Sequence, residues 1–345
     1  MKLDEKIDRS GWGSGYGQDR GCPLEHVSVN DSMGQKKLQQ EIEVKFAPKK
    51  GSSQKLSEVY RRLGYGGRSA RVAECGSFLE FHVGADRARL HMANFCRDRL
   101  CPMCNWRRSL KIFGQVSRIM DVIQDSGYQF LFLTLTVKNC SAEHLPDTVQ
   151  VIFDGWRNLY RCKAFRDVVQ GTFRSLEVTR NKKTGEFHPH IHVILAVRSD
   201  YFSRNYVTQK EWGEMWRSAC HLDYNPVIDV RKVKALPDGE VDGYLDGSRS
   251  IQAAVAEASK YAVKDSDFLR GTESECNSYV SAFLESLSRR RLCDFTGCFR
   301  SVKKLLDLDD LDHGDLVQVG VEQLRSDVEY MIVRYSWRAG VYVRL

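Results

Sequence analysis

The sequence predicts an α+β fold, an antiparallel sheet with helices packed on one face and one extra helix at the end, preceded by a cysteine-rich module. Three observations predict it. Apolar positions in the middle of the chain switch between strand and helix periodicity in the order β-α-β-β-α-β-α. Cysteines at 75, 96, 101 and 104 crowd together in a chain with eleven in all. Histidines at 188, 190 and 192 take alternate places at the head of an apolar run.

Composition bounds the function. A chain of 345 residues with 42% hydrophobic content is long enough for one large domain or two ordinary ones. The net charge of +7, from 52 Lys and Arg against 45 Asp and Glu, permits a polyanionic partner without demanding one. No apolar segment follows Met1-Lys2-Leu3-Asp4-Glu5, and the longest apolar stretch, Phe130 to Val137, is too short to cross a bilayer. The expectation is a cytoplasmic protein with no membrane partner. An odd cysteine total without an export signal points to thiols and metal ligands, not to a disulfide framework.

Residues 1–55 are rich in Gly, Ser, Gln and Lys, with Gly11-Trp12-Gly13-Ser14-Gly15-Tyr16-Gly17 at one end and Lys49-Lys50-Gly51-Ser52-Ser53 at the other. They read as a mobile leader. Residues 56–105 form the next part: a short basic helix around Tyr60-Arg61-Arg62-Leu63 that stops at Gly64, then the cysteines. Their spacing is C-x20-C-x4-C-x2-C, and the C-P-x-C at its end suits a thiolate knuckle because a tight turn leaves backbone amides free to face sulfur. A structural zinc held by Cys75, Cys96, Cys101 and Cys104 in a zinc-ribbon-like module is one reading; unliganded thiols are the other. Arg97, Arg99, Arg107 and Arg108, with Trp106, make a face for phosphate or simply a solvated surface.

Residues 106–270 carry the sheet. Leu110, Phe113, Val116 and Ile119 set a helix over 106–124, ending before Gly127. Gln129 to Val137 is apolar and rich in β-formers, so it reads as a central buried strand. A helix over Asp147–Cys162, a strand at Arg174–Thr179 and a polar turn at Asn181–Gly185 lead into the histidine strand, Phe187-His188-Pro189-His190-Ile191-His192-Val193-Ile194-Leu195. A helix over Thr208–Cys220 with Trp212 and Trp216 follows, then a strand at Val227–Val233 and a helix over Ser250–Lys264. That order fits a ferredoxin-like, RRM-like sheet. Residues 271–345 read as an accessory region, with a helix over Tyr279–Arg291 and strand-like segments at Val317–Val319 and Tyr330–Val343.

A strand's side-chain period of two places His188, His190 and His192 on one face and Ile191, Val193 and Leu195 on the other. Two such imidazoles can grip one divalent metal, and the preceding strand can bring Glu177 beside His190 and His192 as an oxygen ligand. Histidines satisfied in the core fit the spacing as well. In the last helix Glu257, Tyr261 and Lys264 fall four and three apart and would share a face, with Lys260 alongside; an ordinary amphipathic helix has the same pattern.

Together these segments resemble the single-tyrosine rolling-circle replication initiators of small plasmids, within the HUH endonuclease superfamily. The matching residues are Phe132-Leu133-Thr134-Leu135-Thr136, His188-Pro189-His190-Ile191-His192-Val193, and Glu257 with Tyr261 and Lys264. The cysteine stretch from Ala93 to Arg108 resembles the part preceding those motifs, and the likeness runs from about Cys75 to Phe299. It implies an HUH palm that nicks and rejoins DNA. His190 and His192, with Glu177, would bind Mg²⁺ or Mn²⁺, with His188 a further candidate. Tyr261 would attack the scissile phosphate, leaving a 5′-phosphotyrosyl link and a 3′-hydroxyl primer; Lys264 would assist the phenol, and Glu257 would activate water in termination. Implied partners are plasmid origin DNA, as duplex and as hairpin or single strand, and the host's replication helicase and polymerase, with monomer or dimer left open. Arg97, Arg99, Arg107, Arg108 and Lys260 would contact the DNA. Rival readings are an HUH transposase with a zinc module and a non-catalytic zinc-dependent DNA-binding protein. A conjugative relaxase places its tyrosine before the histidines, unlike this chain.

Overall fold

Helix begins where the composition suggests a leader. In the computed structural model, which describes residues 31–84, 88–234, 249–260, 262–319 and 331–345, helix α1 runs over Asp31–Arg62. Leu38, Ile42, Phe46, Lys50, Ser53, Leu56 and Tyr60 are buried along it, three or four residues apart, which is one face of a helix. The expected leader is therefore corrected from residue 31 onward, and residues 1–30 lie outside the described residues. The Lys, Ser and Gly content around Lys49–Ser53 masked the stripe, because two of its members, Lys50 and Ser53, are polar and yet buried. The first helix ends at Arg62, and Gly64 follows at φ +81°, a left-handed conformation that Gly takes without steric cost.

The remaining elements follow in order: α2 (Gly66–Glu74), β1 (Phe78–Val83), β2 (Ala88–Ala93), α3 (Pro102–Asp125), β3 (Gln129–Thr136), α4 (Leu145–Arg161), α5 (Lys163–Val168), β4 (Val169–Arg180) and β5 (Phe187–Val197). Then come α6 (Tyr201–Arg204), α7 (Gln209–Ala219), β6 (Ile228–Lys234), β7 (Arg249–Ser250), α8 (Ile251–Ala258) and α9 (Asp265–Phe268). The chain closes with α10 (Glu273–Leu287), β8 (Cys293–Thr296), α11 (Gly297–Leu305), β9 (Met331–Arg338) and β10 (Val341–Arg344). Among the described residues no helix is long and apolar enough to cross a membrane.

The chain divides into two compact units. One comprises the described residues within 115–263 and 282–308 and holds a sheet of strand order β7-β6-β3-β5-β4-β8, antiparallel except for the β6–β7 pair. Its middle strands keep the order β6-β3-β5-β4, an antiparallel arrangement compatible with a palm. Nearly all of β5 is buried, so both faces of the sheet are covered. Arg174 lies against the ring of Phe153 from α4, which puts α4 on the face opposite Ser175. Ser175 donates its hydroxyl to the Ala258 carbonyl at 2.6 Å, so α8 lies on the Ser175 face.

Helices α4 and α7 meet at Gly155, where an added Cβ would stand 2.1 Å from Cys220 Sγ and 3.3 Å from the Trp216 ring. Thr208 and Glu211 form the capping box that starts α7. Trp216 is fully buried and donates its indole N–H to the Thr136 carbonyl at 2.9 Å. Trp216→Ala is expected to cost about 3–5 kcal/mol through the cavity it leaves, read as a lower urea midpoint by near-ultraviolet circular dichroism.

The other unit comprises the described residues within 18–114, 264–281 and 309–345 and holds the sheet β10-β9-β1-β2. Leu79, Phe81, Val333, Tyr335 and Tyr342 are buried in it, and Phe46 of α1 stands edge-on to Phe81, Trp106 and Tyr342. Strands β9 and β10, read as part of an accessory region, pair with β1 in the same unit as the cysteines, and Val317–Val319 is not a strand. Such pairing joins residues some 250 positions apart, which local periodicity does not register.

The helix expected over Ser250–Lys264 stops at Ala258. Two carbonyls explain the end: Ala258 O accepts from Ser175 Oγ at 2.6 Å, and Ala262 O accepts from the Val178 amide at 2.7 Å. The last turn tightens through Lys260 N to Glu257 O at 3.3 Å.

Candidate active site

Strand register builds the first cluster. Glu177 of β4 stands opposite His190 of β5, and Ser175 opposite His192, while Thr134 and Thr136 of β3 flank the two histidines from the other side. The alternation puts Glu177, His190 and His192 together, buried, with one ligand atom from each lying within 4.8 Å of the others. Glu177 Oε2 is 3.0 Å from His192 Nε2 and 3.4 Å from His190 Nε2. His188 is not in the group; its Nδ1 lies 2.7 Å from Asn139 Oδ1.

The far sides of both rings are anchored. His190 donates its Nδ1–H to the carbonyl of His188 at 3.0 Å, and His192 Nδ1 lies 3.2 Å from Thr134 Oγ1. Held this way, both rings turn Nε2 toward the Glu177 carboxylate. Burial alone would raise the Glu177 pKa, but hydrogen bonds from His190 and His192 outweigh it and hold the carboxylate ionised, well below its usual range. Burial depresses the His192 pKa, keeping that ring a neutral ligand. The donor set of two imidazoles and one carboxylate thus fits a divalent metal ion.

Helix α8 supplies a second carboxylate. Glu257 Oε1 is 3.6 Å from His192 Nε2 and pairs with Lys260. Burial opposes ionisation of Glu257, yet the Lys260 pairing prevails and its pKa is lowered. Lys260, expected on DNA, thus has a partner inside the cluster. Tyr261 lies outside the described residues. The shared helical face expected for Glu257 and Lys264 is corrected: Lys264 stands beyond the helix end with φ −91° and ψ 142°, as the extended residue before α9.

The cysteine cluster is the second site. Sγ atoms of Cys75 and Cys104 are 3.5 Å apart, those of Cys75 and Cys101 3.5 Å, and those of Cys96 and Cys104 3.7 Å. Four thiolates around one tetrahedral ion at about 2.3 Å would be separated by roughly 3.8 Å. Backbone amides of Cys96, Arg97 and Asp98 point at the sulfurs of Cys75, Cys104 and Cys96 at 3.4, 3.2 and 3.5 Å. Arg97 takes φ 60° to make the turn. Four sulfurs so placed can hold a metal ion. Sequence reasoning missed the support from α1, where buried Lys50 donates to the carbonyls of Ala73 and Cys75 and Ser53 Oγ lies 3.4 Å from Cys101 Sγ. An apolar stripe interrupted by a lysine was the available signal.

The basic face expected beside the cysteines is half lost. Arg107 and Arg108 are each 2% exposed. Arg107 donates to the carbonyls of Leu316 and Val317, and Arg108 to those of Arg97 and Asp98 and to Asn105. They satisfy loop carbonyls in the interior, so neither faces phosphate. Arg97 remains exposed and Arg99 partly so.

The family described as "Replication protein" matches residues 87–343, a span that includes the histidine strand, Glu257 and three of the four clustered cysteines. "Protein rep" of Bacillus amyloliquefaciens is 37% identical over 308 residues, covering 85% of this chain and 91% of that one. "Protein rep" of Streptococcus pneumoniae serotype 2 is 37% identical over 272 residues, with 77% and 80% covered. "Replication protein" of Staphylococcus aureus is 33% identical over 239 residues, with 68% and 96% covered. No solved structure matches.

Proposed function

We propose, from the premise that this chain belongs to the replication-protein family, that it starts rolling-circle replication of a plasmid by cutting one strand at the origin. The observation that carries the proposal is the convergence of Glu177, His190 and His192 in a buried cluster that Glu257 borders. These three residues would hold Mg²⁺ or Mn²⁺. Such an ion, when bound, supplies Lewis acidity toward a non-bridging oxygen of the scissile phosphate. The β6-β3-β5-β4 order supports a ferredoxin-like palm.

The nucleophile is Tyr261, four residues beyond Glu257. Its phenolic oxygen forms a bond to phosphorus as the bond to the 3′-oxygen breaks, and the phenolic proton ends on that 3′-oxygen. The products are a 5′-phosphotyrosyl link and a 3′-hydroxyl that a polymerase can extend. Because a phosphodiester is kept in the link, rejoining needs no ATP. Lys264, off the helix that carries Glu257, loses the geometric argument for assisting the phenol. Lys260 holds Glu257 in its ionised form instead.

Glu257 takes a proton from water in the closing step, which a single-tyrosine enzyme must complete without a second tyrosine. The four cysteines hold structural zinc, and Arg97 and Arg99 beside them contact the origin duplex.

A nicking assay on supercoiled plasmid bearing the element's own origin, with and without Mn²⁺, tests the reading. Relaxed product and a detergent-stable protein–DNA adduct are expected only with the ion. No product under either condition would leave the non-catalytic DNA-binding reading; product on transposon ends but not on the origin would favour a transposase. Glu257→Gln is expected to nick near the wild-type rate while release of finished circles falls by about 10²–10⁴-fold. Circle release at the wild-type rate by that variant would refute the role given to Glu257.

A further inference from the structure

The sheet formed by β10, β9, β1 and β2 carries another group of metal-ligating side chains, distinct from both clusters above: Glu80, His82 and His91. Glu80 and His82 are two apart on β1 and so share a face, the one opposite buried Leu79 and Phe81. Pairing with β2 shifts at this point. Glu80 faces Met92 while Phe81 faces Leu90, which makes His91 the extra residue of a bulge. A bulge re-aims one side chain, and here the His91 ring stacks on that of His82, with centroids 3.7 Å apart and planes 18° from parallel.

The carboxylate is oriented from its far side. Arg334 of β9 donates to Glu80 Oε2 at 2.7 Å, while Oε1 lies 3.8 Å from His82 Nε2, too long for a hydrogen bond between them. One ligand atom from each of the three residues lies within 4.8 Å of the others. His91 Nδ1 is buried and makes no hydrogen bond among the described residues. A buried ring nitrogen in that state is a donor available to a metal ion.

We infer that Glu80, His82 and His91 bind a divalent transition ion of the zinc class. Two imidazoles and one carboxylate oxygen are a donor set that suits such an ion. Nitrogens bound to zinc at about 2.0–2.1 Å in tetrahedral geometry stand roughly 3.4 Å apart; the rings stacked at 3.7 Å have that spacing, and one of them must turn out of the stack for both in-plane lone pairs to meet at a single ion. Three protein ligands leave the fourth position to water. Arg334 acts as the group that orients the carboxylate ligand, as outer partners commonly do. The ion would tie β1 to β2 across the bulge and, through Glu80 and Arg334, to the C-terminal strand β9.

The test uses the full chain saturated with Zn²⁺, dialysed, and measured for zinc per chain by plasma mass spectrometry. A His82→Phe/His91→Phe variant keeps stacked rings and removes both nitrogen donors. It is expected to hold one zinc fewer than the wild type, with the cysteine cluster still filled. Equal zinc content in two folded proteins would overturn the inference. Should the variant not fold, wild-type protein decides: acylation of His82 and His91 by diethyl pyrocarbonate, mapped on peptides, is expected to be blocked with Zn²⁺ and restored after EDTA. Acylation of both rings regardless of zinc would equally overturn it.

Discussion

Tyr261→Phe is expected to yield neither nicked plasmid nor covalent adduct, a fall on the order of 10⁶-fold to background, as when a nucleophile is removed outright. Phe keeps the ring but has no oxygen to form the bond to phosphorus. Glu257 occupies the position four residues before it where a second tyrosine would stand, so no neighbour replaces the lost phenol. Any residual cutting by water at Glu257 would leave no protein on the 5′ end. The adduct is therefore the more telling readout of the two. Binding of Mn²⁺ by Glu177, His190 and His192 should be unchanged in the variant, since those side chains come from β4 and β5. Nicking at the wild-type rate by Tyr261→Phe would remove the phosphotyrosine mechanism.

The second large effect concerns the cysteines. Cys75 ends α2, Cys96 follows β2, and Cys101 and Cys104 flank the start of α3, so one ion would tie three elements of the unit. Structural zinc contributes roughly 10–16 kcal/mol in small zinc-binding peptides at neutral pH. That matches or exceeds the whole stability of an ordinary domain, about 5–15 kcal/mol. Cys104→Ser is accordingly expected to release the ion and to strip hydrogen-exchange protection from β1, β2, β9 and β10. Buried Lys50, which donates to the Cys75 carbonyl, would then be a buried cation facing no thiolate charge, adding to the loss. Full protection of those strands in metal-stripped protein would show that the cysteines are bystanders.

Much of the site was legible because it is local. His190 and His192 share a face for the same reason that Ile191 and Val193 share the other, and the short turn at Asn181–Gly185 sets Glu177 opposite His190. The cysteine spacing needed only the knowledge that a tight turn aims amides at sulfur. Glu257 was legible as a polar residue on an apolar helix, although its distance from His192 was not. Arg107 and Arg108 misled for a physical reason: a guanidinium that satisfies backbone carbonyls is written with the same letter as one that meets phosphate.

From its own letters, then, the chain determined which stretches are strand and which are helix over most of its length, and which residues share a face within each. Those are properties of neighbours, set by side-chain period and turn chemistry. Only tertiary structure decided that α8 stops at Ala258, that Lys50 and Arg107 go inside, and that β9 returns to pair with β1. Each depends on a partner far along the chain, as Arg334 is for Glu80 and Ser175 for Ala258. A hydrogen bond across that separation leaves no periodic trace, so it is settled by which buried polar groups find partners when the chain closes.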